Sequence, residues 1–381
     1  MSIENTTARS TRRSVLRGGF AGAAGLLAAP AIAQTAPTRT VRMATSWPAG
    51  LGGLADSAAR VAKNITEMSE GRLTVEIYGP GALVGALEVH DAAGAGDIEM
   101  YHSAEYYFQG KHRGLNFFTT VPLGLTMVEQ AAWLSYGGGQ ALWDEVNAPF
   151  GVKSLPVGGT GVQMGGWFSK PIESAEDFNG LTMRMPGLGG QVLSELGAEA
   201  VVLPGGGIVT ALFEQTIDAT EWVGPYNDLD FGFQKLLSTY MYPGFHEPGT
   251  MASLGMNTAF WDSLEDRDRY IIETACEIEI SRHSSDYYGN SGIALTQMIE
   301  EYGVEPTLLP DEVWDAVATK SLEVVAGVAN DDDLARRIFE SFDAHRSLML
   351  GGAPLDQAEY LSRRRSVDPL WSSAAFDFFD R

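Results

Sequence analysis

The sequence predicts an α/β protein of two lobes followed by a helical C-terminal third. Segments that alternate like strands take turns with segments of helical spacing as far as Phe260, and helical spacing dominates from Asp262 onward. This alternation is typical of sheets that are covered by helices on their faces. Apolar residues make up 45% of the chain, which is enough to build a full hydrophobic core.

The first lobe is predicted over residues 34–157. It begins with a strand, because Thr40–Thr45 alternates in polarity, and a helix follows, because apolar residues recur at helical spacing from Leu54 to Met68. The remaining elements of this lobe are predicted as a strand at Leu73–Tyr78, a helix at Ala86–Ala95, a short strand at Asp97–Tyr101 and a strand at Val152–Val157.

The second lobe is predicted over residues 158–260 and consists of short strands separated by short helices. Its strands are predicted at Gln163–Ser169, Leu181–Met185, Val201–Leu203, Ile217–Val223 and Thr250–Phe260. The helices of the last third, residues 261–381, are predicted at Asp262–Tyr302, Pro310–Val328 and Asp331–Leu350. The first of these is far longer than the ~11–12 residues of an average helix.

The N-terminal residues 1–33 have the pattern of a cleaved export signal. The pair Arg12-Arg13 precedes an apolar run at Gly18–Ala29 and an A-x-A site that ends at Ala33, which predicts cleavage between Ala33 and Gln34. Paired arginines are typical of the twin-arginine (Tat) pathway, which exports folded proteins and predicts a periplasmic location. A short membrane anchor is the alternative, but the run is too short to span ~30 Å of hydrocarbon.

Composition excludes some functions. The net charge is −23 and becomes −26 once the four arginines and one glutamate of residues 1–33 are removed. Such an acidic chain is unsuited to nucleic acid, which requires basic patches. The single cysteine, Cys276, allows no internal disulfide, and it lies in a helical pattern that predicts a packed thiol rather than a nucleophile.

Familiar catalytic patterns are absent from the sequence. The six histidines include no pair at metal-ligand spacing, and no G-x-S-x-G elbow occurs. The glycine-rich stretches Gly159–Gly165 and Gly187–Gly190 do not match a dinucleotide-binding loop. These patterns therefore indicate no catalytic site, although an exported metal-dependent enzyme remains an alternative.

Two strands carry the clearest candidate site residues. Alternation places Arg184 on the face opposite Met183, at the carboxyl end of its strand, where open α/β sheets bind ligands. A surface arginine, or one paired with a structural carboxylate, is the alternative for this residue taken alone. Glu221 follows apolar neighbours toward the interior, where an ionised carboxylate requires a cation. Gln163, among glycines, and Glu247, in a turn, are further polar candidates, although a plain surface or turn role is open for both.

Taken together, these segments resemble the substrate-binding proteins of TRAP (tripartite ATP-independent periplasmic) transporters. The branch they resemble binds 2-oxo acids and related monocarboxylates together with a metal ion. The similarity rests on Gly161–Phe168, Leu181–Gly190, Leu203–Gly206, Asp218–Asn227 and Tyr242–Gly249.

The resemblance implies a two-lobed periplasmic-receptor fold with central mixed sheets that closes on a small organic acid. It implies that Arg184 binds the carboxylate of the acid through two hydrogen bonds, as a guanidinium can. Gln163, Glu221, the carbonyl of Trp222 and Glu247 would hold the metal ion. Gln163, Tyr106 and Glu247 would also contact the acid.

The resemblance further implies two membrane subunits as partners and a homodimer in which the long helix is exchanged. A receptor that serves a sensor instead of a transporter remains an alternative. The chain departs from the family pattern at Gly159, where an asparagine is expected, so the identity of the acid stays open. One arginine, one substrate carboxylate and Glu221 leave the site short of one positive charge, which favours Na⁺ over Ca²⁺. Ca²⁺ would fit better if Glu247 were also ionised.

Overall fold

The computed structural model describes residues 38–352, residue 355 and residues 357–366. The predicted signal segment, with its cleavage site between Ala33 and Gln34, lies outside the described residues. The strands are β1 (Arg39–Thr45), β2 (Leu73–Tyr78), β3 (Met100–Ser103), β4 (Val152–Gly159), β5 (Gly166–Phe168), β6 (Thr182–Arg184), β7 (Glu199–Val201), β8 (Ala219–Thr220), β9 (Thr239–Tyr242), β10 (Met251–Asn257) and β11 (Pro306–Leu308).

Helices cover the sheets and make up most of the C-terminal part of the chain. They are α1 (Leu54–Met68), α2 (Val89–Ala95), α3 (Met127–Tyr136), α4 (Gly139–Asn147), α5 (Gly187–Glu195), α6 (Gly205–Phe213), α7 (Pro225–Phe231), α8 (Thr258–Asp262), α9 (Asp266–Tyr302), α10 (Asp311–Gly327), α11 (Asp333–Gly352) and α12 (Gln357–Ser366). None of the helices in the described part of the chain has the length and hydropathy of a membrane span.

The strands form two mixed sheets, as predicted. The first has five strands in the order β2-β1-β3-β10-β4, and the second has six in the order β11-β9-β5-β8-β6-β7. In the first sheet β1 runs parallel to β2 and β3, whereas β10 is antiparallel to its neighbours β3 and β4. In the second sheet β6 is parallel to β7 and β8, and β5 is antiparallel to β8 and β9.

The pairing of β10 differs from the sequence prediction. Thr250–Phe260 is predicted in the second lobe, but its strand β10 belongs to the first sheet, between β3 and β4. Conversely β11, which follows α9, pairs with β9 in the second sheet. The division into segments 34–157, 158–260 and 261–381 stays a prediction, although the sheets themselves cross both inner boundaries.

The chain crosses between the sheets three times: at two short segments, residues 160–165 and residues 243–250, and through the helices between β10 and β11. The two segments lie side by side, because the Gln163 N–H donates to the Glu247 carbonyl at 3.1 Å and the Gly244 N–H donates to the Gln163 carbonyl at 2.9 Å. The Thr160 N–H adds a bond to the Thr250 carbonyl at 3.2 Å. Gln163 and Glu247 therefore share the junction between the two sheets.

The C-terminal helices pack on elements of both sheets. The long helix α9 has 37 residues and packs on β4 and α1 of the first half and on α7 of the second. Its buried residues include Cys276 and Tyr287, and burial raises the pKa of the Cys276 thiol, which suits the predicted packed role. On the other side, the Phe342 ring of α11 lies 5.1 Å from Phe117 and 5.2 Å from Trp133. Each such buried ring contributes roughly 1.5–3 kcal/mol of stability.

Candidate functional site

Arg184 is the central cation of the candidate site. It ends β6 and is 1% exposed, while Met183, on the opposite face of the strand, is fully buried in the core. Its Nε donates to the Leu203 carbonyl at 3.1 Å, and its Nη1 donates to the Glu221 carbonyl at 3.2 Å and to the Glu221 carboxylate. The predicted cation at the carboxyl end of this strand is therefore buried inside the protein.

The charge of Arg184 is stabilised by its neighbours. Burial is the largest single effect and lowers the pKa of the guanidinium, but the charge of Glu221 and the other neighbouring acidic groups together outweigh burial, so the net shift is upward and the group stays protonated. The guanidinium carbon also lies 5.0 Å from the centre of the Trp222 ring, which is a cation–π contact.

Glu221 follows β8 and is 2% exposed. Its Oε1 pairs with Arg184, which supplies the cation that the sequence requires for this buried carboxylate. Its Oε2 makes no hydrogen bond within the described part of the chain and lies 3.5 Å from Nε2 of His246. One oxygen of Glu221 therefore keeps its lone pairs free for another positive group.

Gln163 and Glu247 meet at the junction of the crossing segments. The Gln163 amide Nε2 donates to Glu247 Oε2 at 2.8 Å and to Thr250 Oγ1 at 2.8 Å, and the Thr250 hydroxyl donates to the same carboxylate oxygen. This arrangement leaves Gln163 Oε1 buried without a partner. Burial raises the pKa of Glu247 to about 7, and the nearby charge of Glu221 raises it in the same direction.

Glu221, His246 and Glu247 form a compact group of potential metal ligands. One ligand atom from each lies within 4.8 Å of the others, and all three residues are buried. Among the residues that the structure describes, this is the only group of three or more potential metal ligands of these types. Together with Gln163 Oε1, the unpartnered atoms are lone-pair donors, and oxygen donors suit hard cations such as Na⁺ and Ca²⁺. The residues therefore fit a metal ion.

Two tyrosines of the segment that follows β3, in the first sheet, lie beside the site. Tyr106, the predicted contact, is 7% exposed, and its ring lies 4.7 Å from that of Tyr107. Burial raises the pKa of Tyr106, and the charge of Glu247 adds to this, so the phenol stays a neutral donor. Tyr107 reaches the site more directly, because Arg184 Nη2 donates to its hydroxyl at 3.3 Å.

The structure thus brings together most of the predicted residues. Arg184 and Glu221 are in direct contact, Gln163 bonds Glu247, and Trp222 packs its ring on Arg184. Their roles toward a ligand stay predictions. Sequence reasoning missed Tyr107 and His246, although both lie beside residues that it selected, and the unusual adjacent pairs Tyr106-Tyr107 and His246-Glu247 were the available signal.

Chemically, the site can accept one anion and one cation. The guanidinium offers donors to a carboxylate, the tyrosine hydroxyls offer neutral donors, and the oxygens of Glu221 and Gln163 offer ligands to a metal. A ligand with a carboxylate and an adjacent oxygen would match both halves of this arrangement.

Comparison with known proteins gives consistent matches. The model of the family described as bacterial extracellular solute-binding protein, family 7 (DctP) matches residues 53–331. A monocarboxylate 2-oxoacid-binding periplasmic protein from Nostoc sp. is 39% identical over 319 residues, which are 84% of this chain and 87% of that protein.

Solved structures agree in fold. A TRAP periplasmic solute-binding protein from Pseudoalteromonas atlantica T6c, with bound sodium and pyruvate, is 37% identical with a TM-score of 0.83, covering 85% of this chain and 99% of that one. One from Colwellia psychrerythraea, with bound calcium and pyruvate, is 36% identical with a TM-score of 0.83, covering 86% and 99%. One from Bordetella bronchiseptica RB50, a mixed-occupancy dimer with copurified calcium and picolinate, is 31% identical with a TM-score of 0.86, covering 88% and 100%.

Proposed function

Since the chain belongs to the DctP family of bacterial extracellular solute-binding proteins, we propose that it is the solute receptor of a TRAP transporter for a small monocarboxylate of the 2-oxo acid class. It binds the acid together with a metal ion and delivers it to the large and small membrane subunits for uptake. The observation that carries this proposal is the buried contact of Arg184 with Glu221, next to unpartnered oxygens of Glu221 and Gln163.

Different residues bind the acid and the metal ion. Arg184 binds the carboxylate of the acid, and its Nη2 also donates a hydrogen bond to the Tyr107 hydroxyl. Glu221, Gln163, Glu247 and the carbonyl of Trp222 hold the ion. When bound, the ion supplies the positive charge that a second buried anion requires.

We favour Na⁺ over Ca²⁺ as the ion. Both hydrogen bonds to Glu247, from Gln163 and Thr250, are accepted by its Oε2, whereas Oε2 of Glu221 is buried without a partner among the described residues. With one such carboxylate and one substrate carboxylate against Arg184, a monovalent ion restores neutrality. The relatives with pyruvate contain sodium in one case and calcium in the other, so both ions belong in the test.

The test is titration calorimetry on the processed protein, residues 34–381, after dialysis against chelator in a sodium-free buffer. Pyruvate, longer 2-oxo acids and picolinate are titrated without metal, with Na⁺ and with Ca²⁺. We expect binding near micromolar, or about −8 kcal/mol, only when an ion is present. Binding of none of these acids in either ion would refute the proposal.

The alternative of an exported metal-dependent enzyme is tested in the same samples. The DctP family consists of transport solute-binding proteins and is not an enzyme family. We expect NMR spectra of the acid to stay unchanged during long incubation with the protein and ion. Appearance of a product would favour the enzyme.

We also propose a dimer with exchanged α9 helices. Large side chains of this helix are exposed in the single chain, with Tyr270 at 69%, Tyr288 at 73% and Ile293 at 69%. Sedimentation equilibrium should give twice the mass of the chain, and a monomer at high concentration would contradict the proposal.

Export by the Tat pathway is part of the proposal and rests on residues 1–33. A fusion of these residues to a reporter should reach the periplasm, and the double change Arg12→Lys with Arg13→Lys should stop it. Export that is insensitive to this change would point to another pathway.

A further inference from the structure

His246 is a buried side chain whose role the proposed acid recognition leaves open. It is 2% exposed, and neither Nδ1 nor Nε2 has a hydrogen-bond partner within the described ranges. Leaving a buried polar group unpaired costs about 1–3 kcal/mol. A neutral imidazole carries one N–H and one lone pair, and the lone pair of His246 is free to bind a positively charged ligand.

The surroundings of His246 identify the kind of ligand. Its Nε2 lies 3.5 Å from Glu221 Oε2, and its ligand atom lies within 4.8 Å of those of Glu221 and Glu247. Glu221 Oε2 and Gln163 Oε1 are buried and unpartnered as well. Several lone-pair donors that face one another are stabilised by a cation between them, and not by a further acceptor.

The backbone on both sides of His246 is held in place. The Phe245 carbonyl accepts from the Leu123 N–H at 2.9 Å, and the Glu247 carbonyl accepts from the Gln163 N–H at 3.1 Å. On the third side, Gly189 of α5 leaves room for the ring, because a Cβ at that position would lie 2.7 Å from the His246 Cβ. The imidazole therefore has a defined position next to the two carboxylates.

We propose that His246 is a nitrogen ligand of the metal site, so that this site also takes a borderline divalent cation such as Zn²⁺ or Co²⁺. The inference deepens the proposed function and rests on the same site. Imidazole nitrogen suits Zn²⁺ and Co²⁺, whereas oxygen donors alone suit Na⁺ and Ca²⁺. A borderline divalent ion would compete with the hard ion, and the metal supply would then set how much receptor is ready to bind acid.

The experiment compares wild type, His246→Gln and the control His345→Gln in the processed chain, residues 34–381. His345 lies on α11, outside the ligand cluster, and also has an unpartnered Nε2. Chelator-treated protein is titrated with Co²⁺ by visible absorption and with Zn²⁺ by calorimetry. We expect wild type and His345→Gln to bind both ions, and His246→Gln to bind them at least about tenfold more weakly.

Pyruvate binding in Ca²⁺ separates this inference from the proposed function. We expect wild type to bind pyruvate with Ca²⁺ and His345→Gln to match its affinity within about threefold, because His345 lies outside the group of Glu221, His246 and Glu247. Failure of wild type to bind pyruvate with Na⁺ or Ca²⁺ would overturn the proposed function alone. Wild type that takes up no Co²⁺ or Zn²⁺, or His246→Gln that binds them as tightly, would overturn the role of His246.

A measurement on wild type alone guards against a variant that does not fold. X-ray absorption fine structure of the Zn²⁺-loaded protein should contain the outer-shell scattering of an imidazole ligand. A spectrum with oxygen ligands only would overturn the inference.

Discussion

Replacement of Arg184 by alanine tests the acid-binding site most directly. The change removes the cation from a carboxylate that is 1% exposed, so Glu221 and the incoming acid would both be buried without a partner. Breaking a buried pair in this way costs about 3–5 kcal/mol, which corresponds to a loss of acid affinity of roughly 10²–10⁴-fold. The assay is calorimetric titration with pyruvate at saturating Ca²⁺.

The same change should lower stability, and a second variant separates the two effects. In Arg184→Ala the uncompensated Glu221 carboxylate should reduce the free energy of unfolding by a similar amount, measured by urea denaturation without ligand. Adding Glu221→Gln neutralises that carboxylate, so the double variant should recover most of the stability while still failing to bind pyruvate. Near wild-type affinity in Arg184→Ala, or restored binding in the double variant, would refute the reasoning.

Tyr107→Phe provides the graded control for this experiment. It keeps the guanidinium and removes one hydrogen bond of 3.3 Å, so we expect a loss of only about 0.5–1.5 kcal/mol in acid binding. A loss as large as that of Arg184→Ala would mean that the hydroxyl, and not the guanidinium, dominates recognition.

Three further changes probe the ion, the core and the packing of the site. Glu221→Gln should weaken Ca²⁺ and pyruvate together in calorimetry, because both depend on its oxygens; loss of one without the other would contradict a shared site. Burial raises the pKa of Asp228 from 3.8 to about 7, so its contribution to stability is present below about pH 4 and is lost as pH rises through about 7. Between about pH 5 and 8 the free energy of unfolding of wild type should therefore fall by about 2–3 kcal/mol more than that of Asp228→Asn, which has no carboxyl group to titrate. Urea denaturation at both pH values measures the two falls, and equal falls would contradict the burial argument. Gly189→Ala brings a methyl group 2.7 Å from His246 Cβ and should cost about 1–3 kcal/mol of stability and weaken acid binding, whereas Gly206→Ala, with open space on α6, should cost no stability. Equal thermal stability of these two variants would contradict this prediction, because it would mean that the segment around His246 shifts to accommodate the methyl group.

Sequence reasoning identified the family and the α/β architecture with its helical C-terminal third. The match over residues 53–331 confirms the predicted TRAP solute-binding family, and the two mixed sheets confirm the fold class. Local alternation located β1 and β2 within one residue of their observed ends. The twin-arginine signal and the exchanged dimer stay predictions.

What the sequence missed depends on contacts between distant residues. β10 has a clear strand pattern, but its place in the first sheet follows from pairing with β3 and β4, which local periodicity does not encode. β9 and β11 have four and three residues, too few for a period to emerge. Tyr107 and His246 became visible as site residues only when the fold placed them against Arg184 and Glu221.

The two short crossing segments place Gln163 and Glu247 at the junction between the two sheets. When two bodies rotate about a pivot, displacement grows with distance from it, so groups at the junction move least. If the two halves open about this junction, Arg184 and the tyrosines of the other half would separate farther than the oxygens of Gln163 and Glu247. Contacts to an acid between the halves would then be lengthened more than contacts to an ion at the junction.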